Sequence, residues 1–408
     1  MKINSELIWT GFSQIVQFVG GIVVFKLMTT LLTKNDYGTY SIFIAISAFV
    51  VAMPFSAIMQ GVVKYIPEMV DLQEKNRLLR VFFTFFSIVL LIYVALGFLL
   101  IESYSSLEDY SIYLVAFVIF DVLKTSIYTS YNGLRQRKTY ATLISIEYLS
   151  RMILLILVYY FFGMKFQYSV CAFILPSIFV VVFSMFKDFR ITMSFNSDDF
   201  DIFKKIIVFS SPLIIWALFG WARDMGIRAY IEALLTREEL AAYTAISSLA
   251  IILPTVVGSF VTMYVLPIIY EKEIHKPGSA REYVKKLLKY GFFIIILSGI
   301  LMDIISVYLV NTLASSNYID NARYLSLLFV GQSLFTISMM MTVEVYCYNQ
   351  TKLLIIPNVM SGISSMALGY YLISCYGLSG AFFAGFLSYI SYFIFTFIVC
   401  YKFKPVEM

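Results

Sequence analysis

The sequence predicts an all-α integral membrane protein with about twelve transmembrane helices, arranged as two like-oriented six-helix halves around a central cleft. Three observations predict this fold: an extreme composition, a succession of long apolar segments, and an internal repeat. Of the 408 residues, 60% are hydrophobic and only 13% are charged. Soluble globular proteins are typically about 45–50% apolar and about 25% charged. This composition therefore indicates a chain that lies in a membrane.

The apolar segments have the length of membrane-spanning helices. A bilayer core about 30 Å thick needs about 20 apolar residues per helix, and runs such as Val81–Ile101 lack the alternation of a membrane β-barrel. No small-residue cleavage site follows the first segment, so we interpret it as a retained helix and not as a signal peptide. The predicted spans are residues 7–33, 38–61, 81–101, 112–132, 140–163, 167–186, 206–230, 241–265, 288–311, 323–346, 353–374 and 379–401.

The basic residues predict the orientation of the chain. When successive loops are assigned to alternate sides, 21 Lys and Arg residues fall on one side, and four fall on the other. Cytoplasmic loops carry the excess of Lys and Arg, so we expect both termini in the cytoplasm. The four residues on the opposite side are Lys34, Lys165, Arg237 and Arg323.

An internal repeat divides the chain into halves. The segment Leu31–Ser41 resembles Leu234–Thr244 at an offset of 203 residues, and both join the first two spans of their half. A weaker repeat relates Gln136–Lys138 to Gln350–Lys352, and a proline, Pro54 or Pro254, interrupts the second span of each half. We expect an N-terminal half over residues 1–195, a cytoplasmic linker over 196–205, and a C-terminal half over 206–408. The linker is either a short amphipathic surface helix or a solvated loop.

Charged residues inside the spans are the main functional signal. A charge at the bilayer centre costs about 2.5–3.5 kcal/mol on insertion scales, so such residues need a reason to be there. Three pairs of opposite charge stand three or four residues apart, a spacing that lets two side chains meet on one helix face. The pairs are Asp121 and Lys124, Glu147 and Arg151, and Asp224 and Arg228, and the other charges in the spans are Lys26, Arg223, Glu232, Asp303 and Glu344.

Span seven carries the densest group of these charges. Arg223, Asp224, Arg228 and Glu232 lie within three helical turns, which favours a helix that lines a water-filled cleft. For the two pairs in the N-terminal half, mutual neutralisation between packed helices is an equally good interpretation. Lys26 fits either a binding role or a side chain that extends to the membrane interface. Asp303 and Glu344 have no local partner and fit either cation binding or a hydrogen bond between helices.

The sequence gives no sign of an enzyme. The four cysteines show no CxxC spacing, and the only histidine, His275, lies in a predicted loop. No nucleotide-binding loop or nucleophile motif is present, and the loops between spans are short. We therefore expect no catalytic residues, no metal, no cofactor and no nucleic-acid partner.

Three tracts resemble a known family: Leu31–Tyr40, its repeat over Arg228–Tyr243, and Tyr131–Lys138. The sequence resembles the polysaccharide (O-antigen) flippases of the MOP transporter superfamily, relatives of the multidrug and toxin extruders. Length, span number and the six-plus-six layout agree. The chain departs from the family's usual pattern at Ile227, where an aspartate would precede Arg228, and at Ala241, where a glycine is usual.

The resemblance implies a flippase that moves undecaprenyl-pyrophosphate-linked oligosaccharide, an O-antigen repeat unit in lipopolysaccharide biosynthesis, by alternating access across the bacterial inner membrane. Membrane lipids, a polysaccharide polymerase and a chain-length regulator would be its partners. The cations expected to attract the pyrophosphate are Lys26, Arg223 and Arg228, with Lys124 and Arg151 as weaker candidates. The candidates for coupling to a cation gradient are Asp224, Asp303, Glu344, Asp121 and Glu147.

Two other functions remain open on the sequence. A cation-coupled antiporter of small molecules or drugs would share the fold, but it would favour acids over the five cations within the spans. A membrane glycosyl polymerase or acyltransferase is a third interpretation, which the short loops and the single histidine disfavour.

Overall fold

A computed structural model describes residues 5–66, 69, 71–102, 108–188, 197–261, 265–348 and 350–402, and these residues contain helices and no strands. The α-helices are α1 (Ser5–Leu31), α2 (Lys34–Val50), α3 (Ala57–Tyr65), α4 (Leu72–Glu102), α5 (Ser111–Gly133), α6 (Arg137–Phe162), α7 (Phe166–Lys187), α8 (Ser197–Leu234), α9 (Arg237–Phe260), α10 (Leu266–His275), α11 (Ser279–Leu313), α12 (Leu325–Met341), α13 (Val343–Cys347) and α14 (Ile355–Lys402). A π-helical segment, Val51–Ser56, joins α2 to α3, and 3₁₀ segments cover Glu108–Tyr110, Ser316–Tyr324 and Thr351–Leu354.

Eleven helical segments in the described ranges are long and apolar enough to cross a membrane. The last of them, Lys352–Lys402, contains a break at Gly377, where φ is +57°. Glycine adopts this backbone conformation readily because it has no Cβ. The break separates the two predicted spans 353–374 and 379–401. The predicted all-α membrane fold with about twelve spans is confirmed, although residues 262–264, at the end of the eighth predicted span, lie outside the described ranges.

The sequence repeat corresponds to a repeated turn between two helices. In the first copy α1 ends at Leu31, α2 begins at Lys34, and the Thr33 hydroxyl accepts a hydrogen bond from the Asp36 N–H. In the second copy α8 ends at Leu234, α9 begins at Arg237, and the Thr236 hydroxyl accepts from the Glu239 N–H. A threonine at this position satisfies one of the backbone donors that the first helical turn leaves unpaired. The same physical device therefore begins the second span of each half.

The weaker repeat also marks one turn used twice. The Gln136 N–H donates to the Tyr131 carbonyl at 3.0 Å, and the Gln350 N–H donates to the Val345 carbonyl at 3.1 Å. Both bonds close the end of a helix before the next span begins.

The prolines in the second span of each half, Pro54 and Pro254, have different surroundings. Pro54 lies in the π-helical segment beside the non-helical Met53, whereas α9 runs without a break past Pro254. The prediction that Pro254 interrupts its span is wrong.

The chain divides into two compact units, Met1–Ala217 and Leu218–Met408. The division falls inside α8, which begins at Ser197 and continues to Leu234. Residues 197–205, the predicted linker, are therefore helical and continuous with span seven.

The start of α8 is held by contacts with α4 in the first unit. The buried Asp199 carboxylate accepts a hydrogen bond from Arg77 Nε at 2.6 Å and lies 3.6 Å from Arg80. The rings of Phe203 and Phe85 stack at 3.5 Å. These contacts hold the start of α8 against α4.

In the second unit, small residues allow α8 and α14 to pack closely. A Cβ on Gly362 would lie 2.7 Å from the Phe219 carbonyl oxygen, and a Cβ on Gly369 would lie 3.1 Å from the Tyr230 ring. The Ser365 hydroxyl, between these glycines, donates to the Arg223 carbonyl at 3.3 Å. Lipid tails are as apolar as the side chains, so the hydrophobic effect does not drive helices together within a membrane. Their association therefore depends on close van der Waals packing of this kind.

We expect Gly362→Ala to destabilise the second unit by about 1–3 kcal/mol, the usual cost of overpacking, because the obstructing Phe219 oxygen belongs to the backbone. Thermal unfolding of the purified protein in one detergent measures the effect. Gly21→Ala is the matched control, since a Cβ there has nothing within 4 Å and alanine favours a helix over glycine by about 1 kcal/mol. Equal melting temperatures for the two variants would contradict the packing argument.

A buried carboxylate holds the turn between α10 and α11. Glu273 accepts hydrogen bonds from the N–H groups of Gly278 and Ala280 and from the hydroxyls of Ser279 and Tyr348, at 2.7–3.0 Å. Burial raises the pKa of Glu273, but these four donors outweigh it and place the pKa below its ordinary value. The carboxylate is therefore charged at neutral pH and caps the first turn of α11.

Candidate functional site

The second unit contains an arginine that three helices hold in place. Arg223 lies on α8 and donates from Nε and Nη2 to the two carboxylate oxygens of Asp224, at 2.9 and 3.0 Å. Its Nη1 donates to the Asn358 side-chain oxygen on α14 at 2.6 Å. Its guanidinium also lies over the rings of Phe335 and Tyr392, 4.5 and 4.7 Å from their centroids. The bidentate carboxylate and the two aromatic faces replace the hydration that the guanidinium loses when it is buried.

Arg228, five residues later on α8, has no such partners. It is buried, with 9% of its surface exposed, and its Nε lies in the interior without a hydrogen-bond partner. No ion pair joins Arg228 to an acid in the described ranges, and Tyr243 and Tyr389 lie within electrostatic range of its charge. The predicted pair of Asp224 with Arg228 is therefore wrong. The neighbouring Arg223 takes the carboxylate instead, with two hydrogen bonds from its guanidinium.

The first unit gathers the predicted charges of α5 and α6 into one network. Lys124 Nζ lies 2.9 Å from Asp121 Oδ1 and 2.9 Å from Glu147 Oε1, and Arg151 also pairs with Glu147. The Tyr128 hydroxyl donates to Glu147 at 2.5 Å, and the Ser47 hydroxyl of α2 donates to Asp121 at 2.7 Å. Both predicted pairs form, and Lys124 joins them into a neutral set of two cations and two anions.

Aromatic rings complete this network. The Arg151 guanidinium lies 4.9 Å from the Phe173 ring centroid on α7 and 5.6 Å from that of Tyr148. The network thus joins α2, α5, α6 and α7. Removing any one member would leave a buried charge uncompensated, so the arrangement serves the packing of the first unit whatever else it does.

The remaining predicted residues lie apart from these two groups. Lys26 is half-buried on α1 in the first unit. Glu344, buried on α13, lies 3.6 Å from Arg281 Nε at the start of α11. Asp303 is exposed on α11 and accepts a hydrogen bond from the Ser326 hydroxyl at 2.8 Å. Glu232 on α8 lies 3.5 Å from Arg237.

Several residues of both groups were missed by reasoning from charge. Asn358, Phe335 and Tyr392 hold Arg223, and Tyr128 and Ser47 hold the first-unit acids. Asn358 had a usable signal, since an amide in an apolar span needs a hydrogen-bond partner. The aromatic residues had none, because the chain contains 31 tyrosines and 38 phenylalanines. Within the described ranges, no group of three or more His, Cys, Asp or Glu side chains is placed to hold a metal ion.

We expect Arg223→Ala to destabilise the protein by about 3 kcal/mol, because it leaves Asp224 unpaired and removes the donor to Asn358. Arg228→Ala should leave stability unchanged or raise it, since it removes a buried charge that lacks a partner. Melting temperatures in the same detergent compare the two variants directly. A larger loss from Arg228→Ala than from Arg223→Ala would contradict this assignment of roles.

The chain is similar to solved structures of membrane transporters. No protein-family model and no curated protein matches the sequence. The lipid II flippase MurJ in its inward closed conformation matches with a TM-score of 0.71 and 15% identity, over 98% of this chain and 88% of that chain. An inward-facing multidrug resistance MATE family transporter of the MOP superfamily matches with a TM-score of 0.69 and 13% identity, over 97% of this chain and 98% of that chain. The chain therefore has the fold of MOP-type transporters.

Proposed function

We propose that this protein is a flippase for undecaprenyl-pyrophosphate-linked oligosaccharide, such as an O-antigen repeat unit. It moves the lipid from the cytoplasmic to the outer leaflet of the bacterial inner membrane by alternating access, coupled to a cation gradient. The observation that carries the proposal is Arg228, a buried cation in a predicted span whose Nε has no hydrogen-bond partner and whose charge has no acidic partner among the described residues. An anionic substrate would supply the missing partner.

The charge balance of the second-unit site favours an anion. Asp224 neutralises Arg223, so Arg228 adds a net positive charge to the group. A pyrophosphate offers several acceptor oxygens to a guanidinium, whose five donors have the geometry to bind two of them at once. Sugar hydroxyls cannot cross hydrocarbon unaided, because they would lose their hydrogen bonds to water. A protein path for the head group is therefore required, whereas the lipid tail needs none.

The lipid flippase among the similar structures supports the same substrate class. MurJ acts on lipid II, and its fold covers nearly all of this chain. The likeness to the MATE transporter is almost as high, so a cation-coupled drug antiporter is the second candidate. Asp224 is the observation that favours it, because its side chain is 39% exposed and could exchange a proton or a sodium ion. In the flippase, the same carboxylate would carry the coupling ion.

The decisive experiment replaces Arg228 in a cell that depends on this protein for its surface polysaccharide. Losing one charge-assisted contact to phosphate weakens binding by about 1.5–3 kcal/mol, about tenfold or more. We expect Arg228→Ala to abolish surface polysaccharide at normal protein abundance, and Arg228→Lys to restore part of it, since lysine is a point charge. Lys165→Ala, an exposed cation at the start of α7, is the matched control and should change nothing.

Three results would overturn the two parts of the proposal separately, namely the flippase assignment and the coupling to a cation gradient. If Arg228→Ala keeps full surface polysaccharide, or if the wild-type protein exports small cationic dyes and not lipid-linked sugar, the flippase assignment fails. If transport in proteoliposomes ignores both proton and sodium gradients, only the coupling fails. Asp224→Asn should then leave the rate unchanged, although it would still weaken the pairing with Arg223.

The orientation proposed here rests on the basic residues at the ends of α10 and α11. Lys272, Lys276 and Arg281 flank the turn at Gly278, and cytoplasmic segments carry such residues. An alkaline phosphatase fusion after Gly278 should therefore be inactive, and a fusion after Ser315, beyond the other end of α11, should be active. The opposite pattern at both positions would reverse the orientation and with it the direction of transport.

A further inference from the structure

A groove of about 750 Å³ lies on the surface of the second unit, between α11, α12 and α14. Its walls are mostly apolar and include Ile296, Ile300, Val330 and Phe386. Gly299 lets α11 approach α12 at the floor, since a Cβ there would lie 2.8 Å from Val330. The groove thus has the dimensions of a small-molecule site but opens along a helix surface.

The α11 side of this groove carries the exposed apolar surface expected of a helix that faces lipid. Long apolar side chains along α11 are more than half exposed, among them Leu297, Leu301, Ile304 and Tyr308. A membrane protein presents such a face to lipid. Asp303 is also exposed and lies on the same helix. It is 14 residues from Lys289, which is about 21 Å along the helix at 1.5 Å per residue. Lys289 is the last charged residue before Asp303 on α11, and a hydrocarbon layer about 30 Å thick that begins beside Lys289 would include Asp303.

A carboxylate at this depth needs a cationic or hydrogen-bonding partner, because lipid tails provide none. Asp303 accepts one hydrogen bond, from the Ser326 hydroxyl at 2.8 Å, although an ionised carboxylate has about four acceptor positions. The Lys and Arg side chains of the described ranges form no ion pair with it. The part of the chain that the structure describes therefore offers Asp303 one hydroxyl donor and no cation.

A cation stands at the same groove but does not neutralise Asp303. Arg323 lines the groove and donates from Nη2 to the Tyr324 hydroxyl at 3.0 Å, with its guanidinium 4.8 Å from the Tyr324 ring centroid. The Tyr324 hydroxyl in turn donates to Ser379 at 2.8 Å. These contacts fix the guanidinium and use one of its five donors. The groove therefore presents one cation and one anion that are not paired with each other.

We propose that this groove binds a phospholipid whose head group carries both a phosphate and a primary amine. The phosphate accepts hydrogen bonds from Arg323, the ammonium donates to Asp303, and an acyl chain lies along the isoleucines of α11. A phospholipid with a phosphate and no amine would leave Asp303 unpaired. A quaternary ammonium, which has no N–H, would not donate to Asp303. The proposal does not depend on the substrate assigned to the transporter.

The test measures retention of defined lipids by native mass spectrometry of the purified protein. Phosphatidylethanolamine, phosphatidylcholine and phosphatidylglycerol are supplied in equal amounts. We expect phosphatidylethanolamine to be retained about tenfold over the other two, the effect of one charge-assisted hydrogen bond. Asp303→Asn should remove this preference, and Arg323→Gln should weaken retention of all three lipids.

Asp320→Asn is the matched control, because Asp320 is an exposed acid in the adjoining 3₁₀ segment and is not among the groove residues. It should keep the wild-type preference. Three outcomes would overturn the proposal: equal retention of the three lipids by the wild type, loss of the preference in Asp320→Asn as in Asp303→Asn, or a dimer that dissociates in Asp303→Asn and binds no lipid. The last would mean that a second copy of the chain covers the groove.

Discussion

A charge carried into a bilayer must find its partner within the protein, because hydrocarbon supplies neither counter-ions nor hydrogen bonds. Most of the internal organisation of this chain satisfies that constraint. In the first unit Lys124 joins Asp121 and Glu147 while Arg151 adds a second cation to Glu147. In the second unit Arg223 has Asp224, Asn358 and two aromatic faces. These groups also tie helices together, so neutralisation of charge and packing of helices are achieved by the same contacts.

Against this background, a charge without a partner is informative. Among the described residues, Arg228 is buried without an acidic partner, and Asp303 is exposed on an apolar helix face with one hydroxyl donor. Both would be costly as they stand, and for each we have proposed a ligand with the complementary charge. Glu147 and Arg223 point to the opposite conclusion. Both are more buried than Arg228, yet their charges are paired, so structure alone accounts for their presence.

Much of the fold could be predicted because its signals are local. Span length follows from bilayer thickness, and the repeat was visible because the same threonine cap recurs 203 residues later. Pairings within one helix were also accessible: Asp121–Lys124 and Glu147–Arg151 follow from helical spacing. The link between them, from Lys124 on α5 to Glu147 on α6, depends on how two helices pack, which spacing does not reveal. The Asp224 pairing failed for a related reason, since spacing favours Arg228 but the fold brings Asn358 and two rings to Arg223.

The two halves begin alike and then differ in charge. Both use a threonine cap to enter their second span, yet the first unit's network is neutral whereas the second-unit group of Arg223, Asp224 and Arg228 has one positive charge in excess. A repeat conserves what the fold needs, namely the cap and the turn. The charges differ between the halves because each set matches the helices that it joins and not the repeated turn. The neutral network has no capacity left for a further ion without breaking a pair, whereas the second-unit group has one positive charge to spare, which is why the proposed function assigns the anionic head group to Arg228. The first unit, whose charges are balanced, needs no ligand to account for them.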